Sequence, residues 1–401
     1  MSQDAPLGAV PELDFDPFSQ TFFEDPHPHH TAVRESGPVV RLPAHGCWAT
    51  GRYDEVRSML MDWESFGSSR GVGLTDYNTH PPYRGPSLVL ETDPPLHTRR
   101  RAVLNAVLSP AALRALRPHF AKAADELAER VVGAGVCDGI RDIAEAYPLA
   151  VFPDAVGMTE HGRECLLPYG NFVFNSMGPR NALLEASLAE LAPLNDWVAR
   201  QTKRAELSAD GFGAAIYAAA DRGEITMEEA PLLVRSLLSA GVDTTVNALG
   251  AALFCFAQFP AEWERLHADP GLARGAFEEA IRFETPVQTF FRTATRDVEL
   301  GCVPIPEGQK VLMFFAAANR DPRHWDNPDA FVIDRPPGGH VGFGAGIHMC
   351  VGQVLARLEG ELMLAALARR VARIEIAGTP ARRFNNTLRG LRTLPLRLHP
   401  A

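Results

Sequence analysis

Apolar residues recur at helical spacing through most of the chain. Leu113, Leu116, Phe120, Ala124 and Leu127 fall on one face at intervals of three and four. Ser109-Pro110, just ahead of them, supplies a capping hydroxyl and a proline at the first helical position. A second, longer stretch begins near Thr226, whose spacing to Glu229 fits a capping box, and runs to about Phe259. From Pro231 to Ala257 it is 27 residues, or about 40 Å at 1.5 Å per residue, enough to cross the whole molecule. Such a helix must be largely buried. Its middle, Ser239-Ala240-Gly241-Val242-Asp243-Thr244-Thr245, breaks the pattern, because a glycine, three β-branched residues and a carboxylate together weaken the helical ladder.

Extended patterns are fewer. Val39–Leu42 and Cys47–Thr50 read as a small hairpin, Asp297–Phe315 as β-like segments split by Pro304, Pro306 and Gly308, and Thr387–Leu398 as extended. Residues 1–30 are Pro-rich and read as irregular, with 1–20 as an irregular N-terminal segment. No linker, charge block or repeat marks a boundary, so the expectation is one domain over 1–401, mainly α with a small β portion.

Composition narrows this picture. Of 401 residues 46% are apolar and 22% charged, and 33 Gly with 32 Pro fall short of a low-complexity bias. The opening MSQDAPLGAVPELDFDPF has no basic stretch followed by an apolar one, so a cytoplasmic setting with reduced thiols is expected. The most apolar run, Ala248–Phe259, is a dozen residues, where a membrane span needs about 20. No membrane association is expected. A balance of 39 Lys and Arg against 49 Asp and Glu gives −10, which argues against a nucleic-acid partner. The six cysteines form no CxxC pair, the nearest two, Cys137 and Cys165, being 28 positions apart. Five of them, Cys47, Cys137, Cys165, Cys255 and Cys302, read as core or surface thiols.

The sixth stands in Phe343-Gly344-Ala345-Gly346-Ile347-His348-Met349-Cys350-Val351-Gly352, directly before a helix marked by Val351, Val354, Leu355, Leu358, Leu362 and Leu367. At a helix N-terminus, backbone N–H groups and the dipole stabilise a thiolate, which is a ready metal ligand. Gly344 and Gly346 permit a tight turn and the close approach of a flat cofactor. Phe343 can shield the sulfur, and His348 is placed to reach a carboxylate on that cofactor.

On these residues the chain resembles the cytochrome P-450 superfamily of haem-thiolate monooxygenases, over nearly its whole length. The resemblance implies the single-domain fold of that family, with haem b between the long central helix and the Cys350 loop and helix. Cys350 is then the iron ligand, and Phe343, Gly344, Gly346 and Gly352 frame the cofactor. Glu279-Ala280-Ile281-Arg282 is similar to the family's E-x-x-R pair, with Arg335 as the third member of a buried charge cluster. His97, Arg101, Arg292 and His348 resemble the clamp on the haem propionates, two carboxylates that need charge-assisted partners in a protein interior. Arg99 and Arg100 read instead as solvated basic surface.

Ala240-Gly241-Val242-Asp243-Thr244 resembles the family's oxygen-binding segment. There Gly241 leaves room for dioxygen, while Thr244 and Asp243 form the catalytic pair that hydrogen-bonds oxygen and relays protons. No nucleotide or flavin motif is evident. By resemblance, electrons from NADH then arrive through a reductase and a [2Fe-2S] ferredoxin as separate partners of a monomeric enzyme. Arg357, Arg369 and Arg370, behind Cys350, are either docking charges for that partner or an ordinary polar helix face.

Long stretches, including Ser69–Leu74 and Phe384–Leu391, are similar to a bacterial subfamily that oxidises para-substituted benzoates such as 4-methoxybenzoate. That likeness implies a substrate carboxylate held by Arg84, Ser87, Arg235 and Ser236, with walls from Leu90, Phe174, Met177, Ala240, Val287 and Phe290. Met177 stands where an aromatic residue is expected in relatives. Helix geometry puts Ser236 and Asp243, seven residues apart, on one face, with Ser236 about 10 Å up the helix from the oxygen groove. Arg235 lies about 100° further round, so it either contacts substrate or shapes the field there. The segment from Val72 to Ser87 is a candidate lid. Alternatives are a terpene or fatty-acid substrate, a peroxide-driven peroxygenase, and a non-catalytic haem-thiolate gas sensor, the last disfavoured by Asp243-Thr244.

Overall fold

A computed structural model describes residues 10–401 except 160 and 337. The first nine residues of the expected irregular segment therefore lie outside the described residues. The remainder is more ordered than expected: Ser19 caps a short helix at Gln20–Glu24, and His27–Ser36 forms another with Pro26 at its start. Phe22, Val33 and Phe18 bury in a small core of their own, and that burial offsets the helix-poor composition.

The expected helix after Ser109 spans Pro110–Ala134, with the Ser109 hydroxyl accepting from the Ala112 amide at 3.4 Å. Its predicted apolar face packs against Gln353–Ala368, the helix that follows the Cys350 loop. The long helix starts as read: the Thr226 amide donates to Glu229 Oε2 at 2.9 Å, and the Glu229 amide to the Thr226 hydroxyl at 3.3 Å. It divides into Glu229–Ala240 and Asp243–Gln258 at the Gly241-Val242 step. There the carbonyls of Ala240 and Gly241 accept from the hydroxyls of Thr244 (2.7 Å) and Thr245 (3.3 Å). The side chains that disfavour a regular ladder thus satisfy the groups it releases. Glu229–Gln258 is long and apolar enough to cross a membrane, with mean hydropathy 1.3, but 72% of that window is buried inside the fold.

Val40–Leu42 and Cys47–Thr50 do pair as an antiparallel hairpin, with Val40 opposite Ala49. The hairpin is the edge of a five-stranded sheet completed by Lys310–Phe314, Thr289–Ala294 and Phe66–Gly67, in that order. Cys47–Thr50 runs parallel to Lys310–Phe314 with Trp48 opposite Val311, a join across most of the chain. Val298–Leu300 and Val303–Ile305 form the ribbon read within 297–315. In the stretch from Thr387 to Leu398 only Gly390–Thr393 and the start of Pro395–Pro400 are strands, paired respectively with Ala381–Arg383 and with Val371–Ile376. The architecture is mainly helical, 52% of residues, with small sheets.

Candidate active site

The break in the long helix and the Phe343–Gly352 loop face each other across an internal cavity of about 260 Å³. Cys350 opens onto it. The loop is closed by the Cys350 amide donating to the Phe343 carbonyl at 2.8 Å, and the amides of Gly352 and Gln353 point at the sulfur. Burial nevertheless pushes the thiol above its ordinary value, against those amides and the Arg101 and Arg357 charges. A cation at the sulfur would favour the thiolate against that burial. Gly344 and Gly346 both adopt left-handed backbone, φ 70° and 67°. A Cβ on Gly346 would sit 2.3 Å from the Leu60 carbonyl oxygen. That glycine therefore lets the loop approach the helix Tyr53–Met61 closely.

Behind the loop, charge is spent on structure. Arg357 lies 4.5 Å over the Phe343 ring and pairs with Glu278, which also binds His340 at 2.7 Å. Arg369 and Arg370 both reach Asp125, at 3.0 and 2.7 Å. The three arginines considered as docking charges are thus engaged within the fold. Arg99 and Arg100, read as solvated, converge on Glu229 at 2.7 Å each, and Arg100 is mostly covered. Glu279 pairs with Arg282 at 2.8 Å in a buried contact and with Arg335 at 3.2 Å in a partly buried one, and it also accepts from the Val332 amide.

At the cavity rim, Arg101, Arg292 and His348 line the space, and His97 packs tilted against His348 with ring centres 4.4 Å apart. None of the four imidazole nitrogens has a hydrogen-bond partner among the described residues, although both rings are buried. Arg292, fully buried, donates only to its neighbour's carbonyl at Phe291. Burial pushes His97 down to about 4 and lowers His348, despite Asp93 lying 3.6 Å from His348. Asp93 was not legible as a site residue. It also takes the amides of Ser68 and Ser69 and so orders the loop beside the rim. Such a cluster of unpaired donors fits a ligand bearing carboxylates.

Three comparisons bear on this geometry. The Cytochrome P450 family model matches residues 271–391, the segment that holds Glu279, Arg292, Arg335 and the Cys350 loop. A cytochrome P450, CYP199A2, of Rhodopseudomonas palustris is 59% identical over 393 residues, 98% of this chain and 95% of that protein. The chain belongs to the cytochrome P450 family. Cytochrome P450 107B1 of Saccharopolyspora erythraea is 34% identical, over 97% of this chain and 98% of its own. The solved structure of cytochrome P450 CYP109Q5 from Chondromyces apiculatus superposes with a TM-score of 0.81 at 29% identity, covering 97% of this chain and 99% of that one. Membership makes the protein a haem-thiolate monooxygenase that uses O2. The residues present fit the haem of a P450: a lone thiol opening onto the cavity, and orphaned imidazoles with two arginines where propionates need donors.

On the opposite wall of this P450, Thr244 faces the cavity, but Asp243 does not share the face of Ser236. The break at Gly241-Val242 turns Asp243 away, against Gly170 and toward Arg383, whose Nη1 is 3.4 Å from Oδ1. Burial pushes Asp243 up to about 6, Arg383 opposing and Glu145 reinforcing the shift. Arg383 comes from a distant hairpin, and nothing in the sequence marks it as a partner. Gly241 lines the cavity and also answers a packing demand, since its Cβ would fall 2.1 Å from Phe152 Cζ.

Leu90, Phe174, Met177, Ala240, Val287 and Phe290 all line the cavity, as do Arg84, Ser87 and Ser236. Arg235 does not. Its Nη2 donates to the carbonyls of Gly85 (3.2 Å) and Pro86 (2.8 Å), fastening the 84–87 loop to the long helix. The Ser236 hydroxyl donates to the Leu232 carbonyl at 3.1 Å. Arg84 binds Glu91 through both Nη atoms, at 2.8 and 3.0 Å. Glu91 was missed in the sequence because a Glu seven residues from an Arg in a loop carries no periodic signal.

Proposed function

We propose that this P450 oxidises the para substituent of small aromatic carboxylic acids, with O-demethylation of a 4-methoxybenzoate as the representative reaction. The observation that carries the reading is the makeup of the cavity lining, which is largely aromatic and aliphatic with Arg84 and Ser87 among its polar members. An apolar ring with one hydrogen-bonding end is the complement of that lining. The 59% identity to the Rhodopseudomonas protein supports the assignment to the same subfamily.

When bound, haem supplies the dioxygen-activating centre, with Cys350 as the residue that would ligate its iron and His97, Arg101, Arg292 and His348 as those that would hold its propionates. The chain's own residues do the rest. The Arg84 and Ser87 end orients the acid group, and the walls exclude water from the para position. Thr244 presents a hydroxyl at the break, and Asp243 behind it exchanges protons with the side where Arg383 is partly exposed. One O2, two electrons and two protons convert the methyl ether to phenol and formaldehyde with release of water. Electrons derive from NADH through a reductase and a [2Fe-2S] ferredoxin, in the cytoplasm, with the enzyme as a monomer.

Titrating the ferric enzyme with 4-methoxybenzoate tests the reading. A low- to high-spin shift is expected, lost in the Arg84→Ala, Ser87→Ala double variant. No shift with any para-substituted benzoate sinks the assignment.

A further inference from the structure

The acid-binding end of the cavity is closed by a carboxylate of the protein itself. The Glu91 side chain is fully buried and all four of its lone-pair positions are occupied. Oε1 accepts from Arg84 Nη2 (3.0 Å) and the Tyr77 hydroxyl (2.5 Å). Oε2 accepts from Arg84 Nη1 (2.8 Å) and the Ser87 amide (2.7 Å). One side chain thereby ties together the guanidinium, the backbone at Ser87 and the start of the 77–91 loop. The Arg84 charge holds the Glu91 carboxyl below its ordinary value, so the pair is ionised and has no net charge.

What Arg84 has left for a ligand is one edge of the guanidinium. Nη1 uses both hydrogens, on Glu91 and on the Gly85 carbonyl at 3.3 Å, whereas Nη2 has one on Glu91 and one left, and Nε is buried with no partner among the described residues. Ser87 Oγ accepts from the Leu90 amide at 3.1 Å and retains its proton as a donor. Arg235 is spent on the loop carbonyls and Ser236 on its own helix. The site therefore offers the Nε and remaining Nη2 hydrogens of Arg84 and the Ser87 hydroxyl within a locally neutral frame, rather than beside a free cation.

Resting on the reading that this end of the cavity receives the substrate's acid group, we infer that Glu91 is a specificity-determining residue. It fixes which edge of Arg84 is left for the substrate, and its charge offsets that of Arg84, which limits how strongly the site prefers an anion over a neutral acceptor of the same shape. A buried ion pair presents a dipole where a lone guanidinium would present a full charge.

The experiment compares 4-methoxybenzoate with its neutral isostere 4-methoxybenzamide, using dissociation constants from the spin-state shift of the ferric holoenzyme, checked by calorimetry. Both ligands experience the same loop, so loosening of the loop cancels in the ratio of their constants. In Glu91→Gln, preference for the anion over the amide is expected to rise at least about tenfold relative to wild type. Tyr77→Phe, which removes one hydrogen bond from Glu91 but no charge, is expected to leave the ratio within about threefold, and it serves as the loosened-loop reference. A ratio unchanged or reduced in Glu91→Gln overturns the inference while the benzoate reading stands. If Glu91→Gln fails to incorporate haem, Glu91→Asp, which keeps the charge, decides: a tenfold change in its ratio overturns the inference and an unchanged one supports it. If neither ligand shifts the wild-type spectrum, the benzoate reading falls and takes the inference with it.

Discussion

Burial and charge compete at Asp243, and burial wins. Arg383 is near enough to favour the carboxylate, yet the side chain is only 3% exposed and its pKa is pushed up to about 6. Unfolded, an aspartate titrates near 3.9. Between those values the folded chain holds a proton that the unfolded chain has lost. Stability associated with this group therefore falls as pH rises through that window, and the deficit is complete above about pH 6 to 7. A shift of this size corresponds to about 3 kcal/mol. Asp243→Asn is thus expected to raise the thermal midpoint at pH 8 relative to wild type, with the difference vanishing near pH 4. A difference independent of pH, measured across that range, would show that the group is not the buried acid described. A pKa raised towards neutrality also suits the residue to passing protons, because its protonated form is far more accessible near pH 7 than that of an ordinary aspartate.

Among the elements, local spacing was legible and long-range pairing was not. The capping box at Thr226 and Glu229 was visible because both partners lie within one helical turn, and so was the Ser109-Pro110 start. The second role of Glu229, as the acceptor for Arg99 and Arg100, was invisible because those partners are about 130 residues away; Arg99 is exposed as read, whereas Arg100 is mostly covered. The Ser236 and Asp243 face was misjudged for a related reason: seven residues share a face only along an unbroken helix, and this one changes course at Gly241-Val242. The double duty of Glu229 makes a graded prediction. Thr226→Ala, which removes the cap alone, is expected to cost about 1 kcal/mol. Glu229→Ala removes the cap's other half and leaves the mostly covered Arg100 without its counter-charge, so its cost is expected to be about 2 to 4 kcal/mol. Equal losses in the two variants, by thermal unfolding of the holoenzyme, would refute the coupling of helix start to arginine pair.

At the scale of the whole molecule, the sequence carried the two walls of the cavity and the four rim residues, because each sits in a compact motif or resembles one. It did not carry Asp93, Glu91 or Arg383, whose roles arise only when distant segments meet, nor the parallel pairing of Cys47–Thr50 with Lys310–Phe314. The rim also divides stability into two parts that can be measured separately. Glu279, Arg282 and Arg335 satisfy one another inside the protein, so that cluster stabilises the fold whether or not haem is bound. His97 and His348 have buried nitrogens with no hydrogen-bond partner among the described residues, Asp93 standing 3.6 Å from His348, so on the proposed assignment their hydrogen bonds form with the cofactor's carboxylates. Each such charge-assisted bond contributes about 1.5 to 3 kcal/mol, and ligand-linked stabilisation is added only to the loaded form. His97→Phe and His348→Phe are therefore expected to lower the thermal midpoint of the haem-loaded protein while leaving or raising that of the haem-extracted protein. Glu279→Gln is expected to lower both. A parallel drop in both forms for the histidine variants would mean that the imidazoles support the fold itself, and the assignment of these residues to the propionates would have to be abandoned.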